Sequence, residues 1–235
     1  MKTYVCEDFE IQYQLGLEEL VKKSAEIYNS RIGYIKKLFN CSSKEIGKIK
    51  GAFFTRREDF VNYIKKISNN QTPPDWATGC FYNGEIQQLI EEKNEAEILV
   101  RAHTLLHETI HLYIQKSIYE KHNIERIVWF DESLAGFLDG HIENRSKNNL
   151  VKTVKSLIKV SKNFDMNILN DWDKMFTEDY NAYEMFMFVG KYIIENGLDS
   201  VYVDLIKTNP AKIKEIGKTI LHSAIEYAKI NLVKG

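Results

Sequence analysis

His107-Glu108-Thr109-Ile110-His111 sets two histidines four residues apart, with a glutamate beside the first. On an α-helix, positions i and i+4 share one face a turn apart, so two imidazoles at this spacing can reach one metal ion. Glu108 lies about a third of a turn round the helix from His107. There it can take a proton from water activated by the metal instead of binding the ion. The neighbouring residues predict the helix this chemistry needs. Glu97 to Ile118 holds no Gly or Pro, and Ile98, Ala102, Leu105, Leu106, Ile110, Tyr113 and Ile114 recur at helical spacing. The bland alternative is a pair of core histidines satisfied by hydrogen bonds, so a third ligand is what separates the two readings.

Trp129-Phe130-Asp131-Glu132-Ser133-Leu134-Ala135-Gly136-Phe137 offers that ligand in Glu132. A catalytic zinc takes three protein ligands and leaves its fourth position for water. A second helix is predicted here, opened by Asp131 as an N-cap and carrying Leu134, Ala135, Phe137 and Leu138. The polar stretch Lys121 to Arg126 can turn the chain back, so two antiparallel helices would bring Glu132 beside His107 and His111. The competing reading of Glu132 is a solvated first-turn carboxylate favoured by the helix dipole. His103 and His141 read as structural or surface residues. A third-histidine motif of the HExxHxxGxxH kind is excluded, because Ser117 occupies that position.

An HExxH followed some twenty residues later by aromatic-x-x-Glu-x-x-Ala resembles the gluzincin peptidases, among them thermolysin and the leukotriene-hydrolase-like aminopeptidases. The resemblance implies one zinc ion held by His107, His111 and Glu132, with Glu108 as general base and a peptide or protein as substrate. The segment Ala182-Tyr183-Glu184-Met185-Phe186-Met187-Phe188-Val189 is similar to the tyrosine-bearing helix of the aminopeptidase branch. That likeness makes Tyr183 the candidate oxyanion stabiliser, with Tyr180 as its competitor. Thr78 to Ile86 reads as a strand or hairpin just before the metal helix. By the same resemblance, Gly79, Cys80, Phe81 and Tyr82 would lie along the substrate, or else form an ordinary edge strand with a Gly turn. The chain departs from the family in two places. The Gly-x-Met-Glu-Asn element that binds a substrate's α-amine in the aminopeptidases has no counterpart, Asn83-Gly84-Glu85 being only a faint echo. Gly136 stands where the thermolysin branch places a histidine-orienting Asp.

The supporting elements are predicted from periodicity. Phe9 to Leu15 alternates apolar and polar residues as a half-buried strand does, and Ile46 to Phe54 reads as a second strand. Leu17 to Phe39 is a long amphipathic helix, and Thr55-Arg56-Arg57-Glu58 has the spacing of a capping box opening a helix through Ile67. Helices are predicted at Asn149 to Lys162, Tyr180 to Glu195, Leu198 to Lys207 and Ala211 to Ile230, with breaks at Gly197 and Asn209-Pro210. The expected fold is α+β and zincin-like, one catalytic unit over 1–235. A sheet-plus-helix lobe over 1–140 and an all-helical lobe over 141–235 would flank the active-site cleft.

Composition bounds the partners. The chain has 235 residues, 44% of them hydrophobic, which suffices for a full core without disulfide or metal staples. With 32 basic and 33 acidic residues interspersed, no basic patch calls for nucleic acid. Cys6, Cys41 and Cys80 are odd in number and widely spaced, the pattern of free thiols in a reducing compartment. No apolar leader or membrane-spanning stretch is apparent, so a cytoplasmic location is expected. The function these residues predict is zinc-dependent peptide hydrolysis. The alternative is a catalytically silent zincin-fold protein that binds peptides or proteins.

Overall fold

In the computed structural model, which describes residues 1–75, 77–82, 84–92, 94–144, 147–160 and 182–233, the chain forms two compact units, Met1–Leu112 and Tyr113–Gly235. The first is built on a five-stranded mixed sheet: β1 (Lys2–Val5), β2 (Phe9–Tyr13), β3 (Ile49–Phe54), β4 (Gly79–Tyr82) and β5 (Glu85–Leu89), in the order β1-β2-β3-β5-β4. The middle pairings, β2 with β3 and β3 with β5, are parallel, while β1 and β4 join antiparallel at the two edges. Parallel neighbours need a crossover. Helix α1 (Glu18–Phe39) lies in the connection from β2 to β3, and α3 (Arg57–Ile67) lies between β3 and β4. Phe9, Ile11 and Tyr13 bury one face of β2, as its alternation predicts. β1 gave no such signal, because most of its residues are exposed.

Two predicted boundaries move for local reasons. The strand expected from Ile46 begins at Ile49 because Ser42 and Glu45 form a reciprocal capping box that opens a one-turn helix, α2 (Ser43–Ile46). Gly47 then turns the chain at φ +78. The capping box expected at Thr55–Glu58 is absent. The Thr55 hydroxyl donates instead to Gln14 Oε1 at 2.9 Å, and α3 starts at Arg57 without a side-chain cap.

The helix predicted over Glu97–Ile118 is interrupted. It comprises α4 (Glu95–Arg101), α5 (Thr104–Ile114) and a π-helical continuation over Gln115–Glu120. At the first break, the fully buried Gln88 donates its amide to the Arg101 carbonyl at 2.8 Å. That side chain stands in for the helical N–H that an unbroken ladder would supply to the same oxygen.

The second unit is helical throughout its described residues: α6 (Val128–Leu138), α7 (Lys147–Val160), α8 (Ala182–Glu195), α9 (Asp199–Thr208) and α10 (Pro210–Ala228). The molecule is therefore a mixed α+β protein. Among the described residues, no helix is long and apolar enough to cross a membrane. Helices α9 and α10 fall within two residues of their predicted bounds, with the Asn209 side chain accepting from Lys212 N–H as the cap between them.

Helices α6 and α8 meet through glycine. A Cβ on Gly190 would lie 1.9 Å from the Ser133 carbonyl oxygen and 2.8 Å from Phe137 Cβ, and one on Gly136 would lie 2.9 Å from Met187 Cγ. Gly190→Ala is expected to destabilise the protein by at least about 3 kcal/mol, because backbone cannot yield to the added methyl. Exposed Gly33, mid-helix in α1 with open space around it, supplies the contrast. Gly33→Ala is expected to stabilise by about 0.5–1 kcal/mol through helix propensity. Urea-unfolding midpoints of the two variants against the parent check both signs.

Candidate metal centre

Helix α5 is anchored by its apolar face. Leu105, Leu106, Ile110, Tyr113 and Ile114 are fully buried, and the Thr109 hydroxyl donates to the Leu105 carbonyl at 2.7 Å. With that face fixed, His107, Glu108 and His111 are left half-buried on the other. The two imidazoles converge: His107 Nε2 and His111 Nε2 are 3.1 Å apart, with ring planes at 82°. Two nitrogens about 2.05 Å from a tetrahedral zinc would be about 3.3 Å apart, so the observed separation suits a shared ion. It also suits a hydrogen bond between neutral rings, the bland alternative raised by the sequence.

Glu132 lies with the pair. One ligand atom from each of His107, His111 and Glu132 can be chosen so that all lie within 4.8 Å of one another. Among the described residues, this is the one His/Cys/Asp/Glu group so arranged. Two neutral imidazole nitrogens and a carboxylate oxygen form a donor set that zinc accepts with one coordination position left open. Glu132 is only 3% exposed, so it is not the solvated first-turn carboxylate of the competing reading.

The start of α6 departs from expectation. Asp131 does not cap the helix. α6 begins three residues earlier, after extended Ile127, and Ile127 N–H is met by the Tyr119 hydroxyl at 3.2 Å. Asp131 is itself buried, and Arg126 Nε donates to it. The same guanidinium reaches Glu132, with Arg126 Nη2 3.0 Å from Oε1. Burial alone would lower the Arg126 pKa, but the adjacent Asp131 and Glu132 charges outweigh it and raise the pKa above the ordinary arginine value. Arg126 is the site residue the sequence reading missed, since it sat in a stretch read only as a polar connection. Its signal, an arginine five and six residues ahead of an Asp-Glu pair, is one that many surface loops share.

The segment predicted to lie along a substrate forms β4, a half-buried strand at one end of the sheet order, paired on its inner side with β5 from Gly79↔Gln88 to Tyr82↔Glu85. Gly79 lies against the start of α5, where an added Cβ would make ordinary contact with Thr104 Cγ2 at 3.5 Å. Cys80 donates its thiol to Gln87 Oε1 at 3.2 Å. Burial, with a further contribution from the Glu108 carboxylate, pushes the Cys80 thiol up to about 12. It holds its proton more tightly than an ordinary thiol, which makes it a poor nucleophile.

Tyr183 is half-buried on α8. It lies one turn before Met187 and does not belong to the metal group. Tyr180 lies outside the described residues. His103 is buried and His141 half-buried with its N–H on Asp139, and neither belongs to the metal group. No family model matches the chain, and neither a curated protein nor a solved structure matches it.

If the three side chains act as one site, purified protein titrated with zinc should take up about one ion per chain and gain in thermal midpoint as a ligand of the folded state. His111→Ala and Glu132→Ala should each weaken uptake by at least about 100-fold in a chelator competition. Undiminished uptake by both variants would place the metal elsewhere.

Proposed function

We propose that this protein is a zinc-dependent peptidase of zincin-like fold, in which Glu108 is the general base. The observation that carries the reading is the grouping of Glu132 with the two histidines of an HExxH helix, 21 residues beyond His111 in sequence. His107, His111 and Glu132 would hold the ion. Bound there, zinc would supply a Lewis acid that polarises a carbonyl and acidifies water.

The remaining chemistry falls to the chain. Glu108, on the helix that carries both histidines but outside the ligand group, accepts a proton from the attacking water and returns it to the leaving amine. β4 offers the N–H and C=O groups of a sheet edge to an extended peptide. That mode of holding substrate reads backbone more than side chains. Cys80 takes no covalent part, since its thiol holds its proton more tightly than an ordinary one. The oxyanion role of Tyr183 is carried by resemblance alone.

Glu108→Gln separates an enzyme from a binding protein, because it keeps the side chain's size and removes its basicity. The parent chain is expected to cleave members of a diverse peptide library. Glu108→Gln is expected to retain zinc and lose activity by at least ~10²-fold. Equal cleavage by the two would refute Glu108 as the base. A fully loaded parent chain that cleaves nothing would favour the silent binding module. Tyr183→Phe should lose activity by about 10–10²-fold if its hydroxyl meets the oxyanion. A loss below about threefold would remove Tyr183 from the mechanism.

A further inference from the structure

Arg126 bridges two carboxylates that are adjacent in sequence and both buried, with Nε on Asp131 and Nη2 3.0 Å from Glu132 Oε1. Neighbouring residues on a helix point about 100° apart. One planar fork serving both therefore fixes the guanidinium and, through it, the rotation of the Glu132 carboxylate. A lysine could contact either carboxylate as a point charge but could not reproduce the two fixed directions. Resting on the metal-centre reading above, we propose that Arg126 is the positioning residue of that centre. By holding Oε1 it restricts Glu132 to ligation through a single oxygen, so the site stays at three protein ligand atoms with a position open for substrate.

The physical case has two parts. A carboxylate oxygen that already accepts a charge-assisted hydrogen bond from a guanidinium is the weaker donor of the pair and is turned toward the arginine, which favours ligation through the other oxygen alone. Asp131 makes that hold firmer, because it takes Nε on the same edge of the guanidinium and keeps Arg126 from following Glu132 toward the ion. Partners of this kind set the orientation of metal ligands, and losing one typically weakens metal binding by about 10–100-fold.

The test uses the full chain, with zinc affinity measured by chelator competition and the visible spectrum recorded after loading with cobalt(II), whose band intensity reports coordination number. Arg126→Met is expected to bind zinc about 10–100-fold more weakly and to give a weaker cobalt spectrum of higher coordination, with Glu132 ligating through both oxygens. Arg126→Lys should recover at most part of the affinity and leave the spectrum altered. A folded Arg126→Met, judged by far-UV circular dichroism, with affinity within about threefold of the parent and an unchanged cobalt spectrum would overturn the positioning role. If Arg126→Met fails to fold, the decision rests on Arg126→Lys, and a parental spectrum and affinity there would equally overturn the role. A parent chain that binds neither ion refutes the metal centre itself, an outcome distinct from either of these.

Discussion

A pair of adjacent carboxylates buried on a largely apolar helix, Asp131 and Glu132, is the constraint around which the second unit is arranged. Taking an ionised group out of water costs several kcal/mol unless charge and hydrogen bonds replace the lost solvation. For Glu132 the replacement begins with Arg126, which remains partly open to solvent and so keeps some of its own hydration. The flanking residues Trp129, Phe130, Leu134 and Ala135 are almost wholly buried, so α6 must be enclosed on nearly all sides. Enclosure at that density is what Gly136 and Gly190 permit. They let α8 come close enough for backbone to meet backbone, leaving no gap for water beside the helix. Gly217 on α10 does the same beneath Trp129, where a Cβ would approach the indole to 3.3 Å.

Much of this was readable from residue order, and the failures share a cause. The HExxH face, the apolar anchor of α5 and the late helices depend on local periodicity, which one sequence displays directly. The misplaced boundaries depend on particular side-chain partners, near and far in sequence, that periodicity does not show. Thr55 has a good capping spacing, yet its hydroxyl is claimed by Gln14 from 41 residues away. Asp131 has the right type for an N-cap, but Arg126 takes it inside the first turn. The break between α4 and α5 has no Gly or Pro to announce it, because its agent is a glutamine on β5. In each case a side-chain hydrogen bond displaced the local preference.

The first unit presents its metal-helix residues beside a sheet that ends in a short antiparallel strand. β4 is held at its base by two arginines. Arg101 donates to the Thr78 hydroxyl at 2.6 Å, and Arg57 donates to the Ala77 carbonyl at 3.0 Å. Each is also paired with a carboxylate, Glu97 and Glu91 respectively. Gly84, at φ +79, turns the chain from β4 into β5. A four-residue strand tied down at one end and turned tightly at the other has little freedom to shift register, so the backbone groups along it are fixed relative to α5.

The burial of Cys80 has a consequence for the molecule's redox chemistry. With its pKa pushed up to about 12, the Cys80 thiol is far less ionised near neutral pH than a free cysteine. Burial, more than the Glu108 charge, is what holds the Cys80 proton, so the packing of the strand itself makes this sulfur a poor target for oxidants and alkylating reagents, which attack the thiolate.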